Sequence, residues 1–282
     1  MPDTVVIVGA GGKMGRRAAE KLGHQPSYKV RMCESNPERA QALAAEGFEV
    51  TPVESGLAEA DYVIMAVPDA VIGPLAHQLA PRMKKGGTLI MLDAAAAYVD
   101  ELPSPGDLTF MITHPCHPPF FTEQATPEAR RDYFGGIAVQ DIIVSLAHGS
   151  EARFLAGIEL CKAIFAPVRN VYRVTPEQFA LLEPAMAEVV VATAATLMKD
   201  ALDTAIEKGV PTEAAEAFIA GHAQIAMAIV FGAEPSPFSD AAKIAIQWGT
   251  QELLRPDWKR VFEPHVLRQA IRVMLQGDGK EN

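Results

Sequence analysis

Cysteine is scarce in this chain. Cys33, Cys116 and Cys161 are the only three in 282 residues, and their odd number and wide spacing argue against a disulfide framework and suit a reducing compartment. Clustered basic residues are missing as well. Lys and Arg number 25 against 35 Asp and Glu, a formal net charge of −10 with no Lys/Arg run. A nucleic-acid surface is therefore not expected, and a small molecule is the expected partner. Met1-Pro2-Asp3-Thr4 leads straight into a strand, without a basic region followed by a cleavable apolar segment, and no apolar run is read as membrane-spanning. The expectation is a cytoplasmic protein with no membrane partner. What remains is ordinary for a globular chain: 49% apolar and 21% charged residues, over a length that holds two cores.

The first informative stretch is at the N-terminus. Thr4 to Val8 is a β-branched run, followed by Gly9-Ala10-Gly11-Gly12-Lys13-Met14-Gly15 and a helical segment from Arg16 to Leu22. Strand, glycine turn and helix in that order are the context that gives a dinucleotide fingerprint its meaning. Gly9 allows the tight turn, Gly11 and Gly12 admit a pyrophosphate to the backbone N–H groups, and Gly15 lets the helix lie close to the sheet. Lys13 and Met14 lie in the same turn and are counted with the cofactor-binding residues, and the N-terminus of the helix that follows attracts the phosphate charge. The spacing is one residue longer than the commonest fingerprint. A second strand, Lys29 to Cys33, ends in Glu34, 19 residues past Gly15. An acidic side chain there accepts hydrogen bonds from ribose hydroxyls and repels a 2′-phosphate, so NAD is expected in preference to NADP.

Further strands are predicted at Phe48–Val50, Tyr62–Val67, Thr88–Leu92 and Leu108–Ile112, with a helix from Val71 to Met83. Pro68 and Asp69 stop the fourth strand and are expected to flank the cofactor, Asp69 alternatively serving as a helix N-cap. The sixth strand leads into Thr113-His114-Pro115-Cys116-His117-Pro118-Pro119, which reads as a stiff connection carrying two imidazoles. Ligands of doubly wound sheets lie beyond the carboxyl ends of the strands, so His114 and His117 are expected where nicotinamide and substrate meet. Cys116 is read as packing. Two more strands, Ile137–Leu146 and Val168–Val174, flank a helix from Glu151 to Phe165. The fold class is thus an α/β Rossmann domain, doubly wound and mostly parallel, over residues 1–173.

Residues 174–282 are expected to form an all-α domain. Thr175 as N-cap and Pro176 at the first helical position open a segment without glycine until Gly209, a helix of about 50 Å at 1.5 Å per residue. Shorter helices follow at Thr212–Phe231, Ser239–Leu254 and Pro264–Leu275, the last closed by Gly277. Their many Ala and Val cannot all be buried in one small domain, so a homodimer through these helices is expected. Glu183 projects from a stripe of Phe179, Met186 and Val190, with Pro184 predicted to kink the helix beside it. A carboxylate so placed needs a cation, a metal or a raised pKa unless the bend turns it out to water. His222 sits on a similar stripe with Phe218, Ile225 and Ile229, as a core residue or a catalytic one. Lys243 reads as a surface lysine with a second reading as a carboxylate-binding group.

Gly9 to Gly15, Glu34, Val67-Pro68 and the long-helix domain resemble the 6-phosphogluconate dehydrogenase-like superfamily, over nearly the whole chain. His114-Pro115-Cys116-His117-Pro118-Pro119 with Leu182-Glu183-Pro184 and Gly221-His222 looks like its D-apionate oxidoisomerase branch. The resemblance implies an active site between two domains, catalytic roles for His114, His117, Glu183 and His222, and a divalent metal (Zn, Mn or Mg) on His114 and Glu183 brought from different domains. It also implies a small sugar acid or hydroxy acid as substrate, whose hydroxyl is oxidised by NAD as the carboxylate-bearing group migrates. Two alternatives stand beside it: a prephenate dehydrogenase-like or other hydroxyacid dehydrogenase, and a non-catalytic NAD-binding sensor.

Overall fold

The apolar runs of the first half pair into one sheet. In the computed structural model, which describes residues 1–276, the strands are β1 (Asp3–Val8), β2 (Tyr28–Cys33), β3 (Tyr62–Met65), β4 (Thr88–Met91) and β5 (Thr109–Pro115). β6 (Gln140–His148) and β7 (Val168–Arg173) complete the order β2-β1-β3-β4-β5-β6-β7. All neighbours are parallel except β5 and β6. β3 and β4 are buried at every residue, as strands covered on both faces must be. Along β1 the period of two divides the core: Val5 and Ile7 join the cluster holding Ala18, Leu22 and Phe154, while Val6 and Val8 join that of Ile72 and Leu79. The covering helices are α1 (Lys13–Gly23), α2 (Pro37–Ala45), α3 (Asp69–Leu79), α4 (Ala95–Tyr98), α5 (Pro127–Arg130) and α6 (Glu151–Ile164).

Register places the functional edge. Val8 pairs with Cys33 and Met65, Met65 with Met91, and Met91 with Ile112. The five parallel strands therefore reach the same level, and the residues beyond their last pairs collect along one carboxyl edge.

Three expectations need correction. Phe48–Val50 is no strand: among the described residues its one pairing with the sheet is a bridge from Val50 to Met32, outside the last strand on that side. Thr113, His114 and Pro115 are not a connection but the end of β5, because β6 pairs His114 with Ile143 and Pro115 with Ile142. The long helix is not α-helical throughout: α7 (Pro176–Ala180) passes into a π-helical stretch, Leu181–Ala192, and then α8 (Thr193–Glu207). Pro184 has no N–H to donate, and the wider turn is how the helix accommodates it. Thr175 caps its start in a reciprocal capping box with Gln178.

At 32 residues, Pro176–Glu207 is long and apolar enough to cross a membrane by length and composition, contrary to the reading of the sequence. Only Glu183 and Glu188 interrupt it between Leu181 and Met198. The remaining helices are α9 (Thr212–Val230), α10 (Asp240–Leu253) and α11 (Pro264–Gln276); Gly277 lies outside the described residues. Contacts divide the chain into Met1–Glu183 with the segment from Arg268 onward, and Pro184–Leu267. In the first, Arg268 at the start of that segment pairs with Asp100 at 2.9 Å and lies over the Tyr98 ring. The second leaves large apolar side chains open, among them Phe218, Phe231, Trp248 and Leu253.

Candidate active site

The glycine turn follows β1 at the carboxyl edge. Gly9 has φ +80, and a Cβ there would lie 2.3 Å from the Ala66 carbonyl oxygen, so no other residue fits. A Cβ at Gly15 would lie 2.2 Å from the Gly9 oxygen, which is how closely α1 leans on the turn. Gly12 stands at the cap position of α1 with no side-chain cap, leaving the N-terminus of the helix to an anion. Glu34, one residue past β2, faces this turn: its carboxylate accepts from the Gly11 N–H at 2.8 Å and from the Asn36 N–H at 2.8 Å. Met14 packs into the core below the turn, and the Lys13 ammonium lies 3.7 Å from the centre of the Phe134 ring. After β3, Pro68 occupies the cap position of α3 and is exposed, so the N-cap reading of Asp69 is corrected. Asp69 is the first helical residue, and burial raises its carboxyl pKa. These residues form a cradle with room at the backbone, an acid for ribose hydroxyls and a helix end for phosphate, which fits a dinucleotide.

Two strands further on, the end of β5 carries His114. Its Nδ1 lies 2.8 Å from the Pro115 carbonyl oxygen and 3.1 Å from Glu183 Oε2. Both neighbours are acceptors, so Nδ1 carries the hydrogen and Nε2 keeps its lone pair. Burial, with a smaller effect of His117, lowers the His114 pKa to about 4, the Pro115 carbonyl pulling the other way. His114 is accordingly neutral at rest. Glu183 is itself only 15% exposed, so it is not turned out to water, and both partners belong to the first unit, where the sequence had assigned them to two domains.

His117 adopts φ +58, a left-handed conformation that costs a side-chain-bearing residue energy and has to be held. Its Nδ1 is 3.0 Å from the Phe134 carbonyl, and its ring stands edge-on to His114 with centroids 5.6 Å apart. Both imidazoles are thus tied at Nδ1, and among the described residues neither Nε2 has a hydrogen-bond partner. Cys116 does not pack as expected: its backbone N–H bonds to the Asp141 carbonyl and the side chain is exposed. Desolvation and the Asp141 and Glu183 carboxylates push its thiol up to about 11. His222 lies in the second unit, exposed in the single chain and stacked on Phe218 at 3.8 Å, rather than buried in an apolar stripe. Lys243 pairs with Asp240 at 3.0 Å on the surface.

Sequence reasoning missed Asp93 and the Asp132 turn. Asp93 lies two residues past β4 on the same carboxyl edge, buried, with Oδ1 accepting from the Ala95 N–H. Asp132 accepts from four backbone N–H groups, those of Gly135, Gly136, Ile137 and Ala138. Desolvation raises its carboxyl, but those four donors outweigh it and hold the pKa at about 2. The signal was present in Asp132-Tyr133-Phe134-Gly135-Gly136, an acid closing on a glycine pair.

A glycine cradle with Glu34 on one strand, and an oriented His–Glu pair further along the same edge, define an NAD-dependent oxidoreductase on a Rossmann sheet. The family described as NADP oxidoreductase, coenzyme F420-dependent, matches residues 4–95, and the C-terminal domain family of phosphogluconate dehydrogenase (decarboxylating) matches residues 122–275. A D-apionate oxidoisomerase from Cupriavidus necator is 42% identical over 274 residues, 96% of this chain and 99% of that protein. Another from Blautia hydrogenotrophica is 41% identical over 97% of each. The solved structure of a semialdehyde dehydrogenase NAD-binding protein from Cupriavidus necator, in complex with calcium and NAD, has a TM-score of 0.92 at 42% identity, covering 97% of this chain and all of that one. This chain belongs to the D-apionate oxidoisomerase family.

Proposed function

We propose that the protein oxidises a hydroxyl of a small branched sugar acid with NAD and isomerises the product, D-apionate being the substrate. The observation that carries the reading is the His114–Glu183 pair at the end of β5, on the edge where the glycine turn and Glu34 lie. When bound, NAD supplies the hydride acceptor. His114 supplies the base: with Nδ1–H fixed between two acceptors, Nε2 takes the hydroxyl proton, and Glu183 stabilises the imidazolium formed. His117, with its own Nε2 free, is the second catalytic imidazole.

A divalent metal on His114 and Glu183 would polarise the paired oxygens during the carbon shift. The two residues as arranged do not fit that role. Glu183 meets His114 at its protonated nitrogen, so the pair does not offer two lone pairs to one ion, and among the described residues no three His, Cys, Asp or Glu form a metal-binding group. Proton transfer to His114 Nε2 needs no such ion.

The working form we propose is a cytoplasmic homodimer joined through the C-terminal helices, with His222 completing the site as a catalytic residue. Support for the dimer comes from exposed Phe231 (74%) and Trp248 (64%), and from the 11% burial of the most apolar window of the long helix. The test is NADH formation from a panel of sugar acids, with and without a chelator. D-Apionate-dependent reduction that resists chelation supports the reading; loss with chelator and recovery with Mn²⁺ would restore the metal. Turnover of prephenate, or of no acid at all, would sink it.

A further inference from the structure

The turn between α5 and β6 is gripped by the cofactor-binding helix at three points. Lys13, Arg17 and Lys21 recur every four residues and so share one face of α1. The Lys13 ammonium lies over the Phe134 ring, Arg17 Nη1 donates to the Phe134 carbonyl at 3.2 Å, and Lys21 Nζ donates to the Gly136 carbonyl at 2.7 Å. Arg17 is buried, with its guanidinium also over the Phe165 ring, and Asp132 is the acidic group acting on its charge. The same Phe134 carbonyl receives His117 Nδ1, and the Phe134 and His117 rings are 5.4 Å apart. One residue therefore touches both the first turn of the dinucleotide-binding helix and the strained His117.

We propose that Phe134 and Asp132 are positioning residues: Asp132 folds the turn so that the Phe134 carbonyl fixes the tautomer and left-handed backbone of His117, and the Phe134 ring transmits cofactor occupancy from Lys13 to that histidine. Four N–H groups converge on the Asp132 carboxylate, more than chain reversal needs, and they leave the Phe134 carbonyl pointing to both partners. Lys13 opens α1 at the phosphate end, so negative charge arriving there competes with the ring for its ammonium. A shift of the ring is felt at His117 through their direct contact.

The kinetic arm of the test rests on the reading of the protein as an NAD-dependent oxidoisomerase; the spectroscopic arm does not. In the full-length protein labelled with ¹⁵N-histidine, spectra in mildly alkaline buffer should show His117 as the Nδ1–H tautomer. Adding NADH should shift that signal in wild type and in Phe134→Tyr, and by less than half as much in Phe134→Leu. Asp132→Asn should lose the single tautomer. With D-apionate, Phe134→Leu should lose about tenfold or more in kcat with its melting temperature near wild type and its NADH Kd no weaker than wild type, since the ring no longer competes for Lys13, and Phe134→Tyr should recover the rate. An Nε2–H tautomer for wild-type His117, or an NADH-induced shift as large in Phe134→Leu as in wild type, overturns the proposal whether or not Asp132→Asn folds. If the spectra behave as expected while wild type leaves D-apionate untouched, the substrate reading fails and the positioning role stands.

Discussion

Replacing Gly15 by alanine tests how the cofactor turn is built, because the added methyl has nowhere to go. Its carbon would lie 2.2 Å from the Gly9 oxygen, 2.7 Å from the Ala10 Cα and 2.9 Å from the Gly9 carbonyl carbon. All three are backbone atoms, so no side chain can rotate away, and ordinary contact requires α1 to retreat by roughly 1 Å. That retreat loosens Ala18, Ala19 and Leu22 from the core. Overpacking of this kind costs about 1–3 kcal/mol, of which helix propensity returns at most ~1 kcal/mol. At roughly 2–4 °C per kcal/mol for a unit of this size, a net cost of up to about 3 kcal/mol lowers the melting temperature by up to roughly 12 °C. NADH should bind at least about tenfold more weakly, ~1.4 kcal/mol. Gly12→Ala is the control. Its φ is −74 and its methyl would come no closer than 3.3 Å to the Gly9 oxygen, so folding survives within about 1 °C. The methyl still blocks phosphate from the helix end, and NADH affinity should fall by about tenfold. Differential scanning fluorimetry and NADH fluorescence titration read both quantities. Gly15→Ala that melts and binds like wild type would refute the packing argument, and Gly12→Ala with unchanged affinity would refute the phosphate assignment.

Removing the charge of Glu34, which now accepts from Gly11 and Asn36, should raise the preference for NADP over NAD by about tenfold in kcat/KM, measured with both cofactors. The Asp132 carboxyl, held at about 2 in the folded protein against roughly 3.9 unfolded, stabilises the fold above about pH 4 and ceases to as pH falls through 2. Acid unfolding of wild type and Asp132→Asn should therefore differ at pH 5 and converge near pH 2; a gap that persists there contradicts the assignment. Light scattering should give twice the chain mass, and Trp248→Glu or Phe231→Glu should weaken the assembly, since both side chains are exposed in the single chain.

The cofactor half of the site was legible because it is local. Gly9 to Gly15 and Glu34 are bound to their roles by a strand, a turn and a helix within 34 residues, and the structure keeps all of them on one edge. His114 was legible as a residue but not as an element. Its place in β5 depends on pairing with Ile143, 29 positions away, and no local pattern encodes that partner. Phe48–Val50 failed for the opposite reason: its local pattern is strand-like, yet it gains only one bridge. For Glu183 the apolar stripe announced a need for a partner, and His114 supplies it; the π-helical backbone around Pro184 was not foreseeable from a kink rule. Asp132 and Phe134 escaped because their importance lies in contacts with Arg17 and His117, far apart in sequence.

The most direct test of the central claim is single-turnover NADH formation from D-apionate by wild type and Glu183→Gln, both saturated with NAD. If Glu183 orients His114 and stabilises its imidazolium, the variant should bind NADH with unchanged Kd and form NADH at least about a hundredfold more slowly. Equal rates in the two proteins would contradict the account.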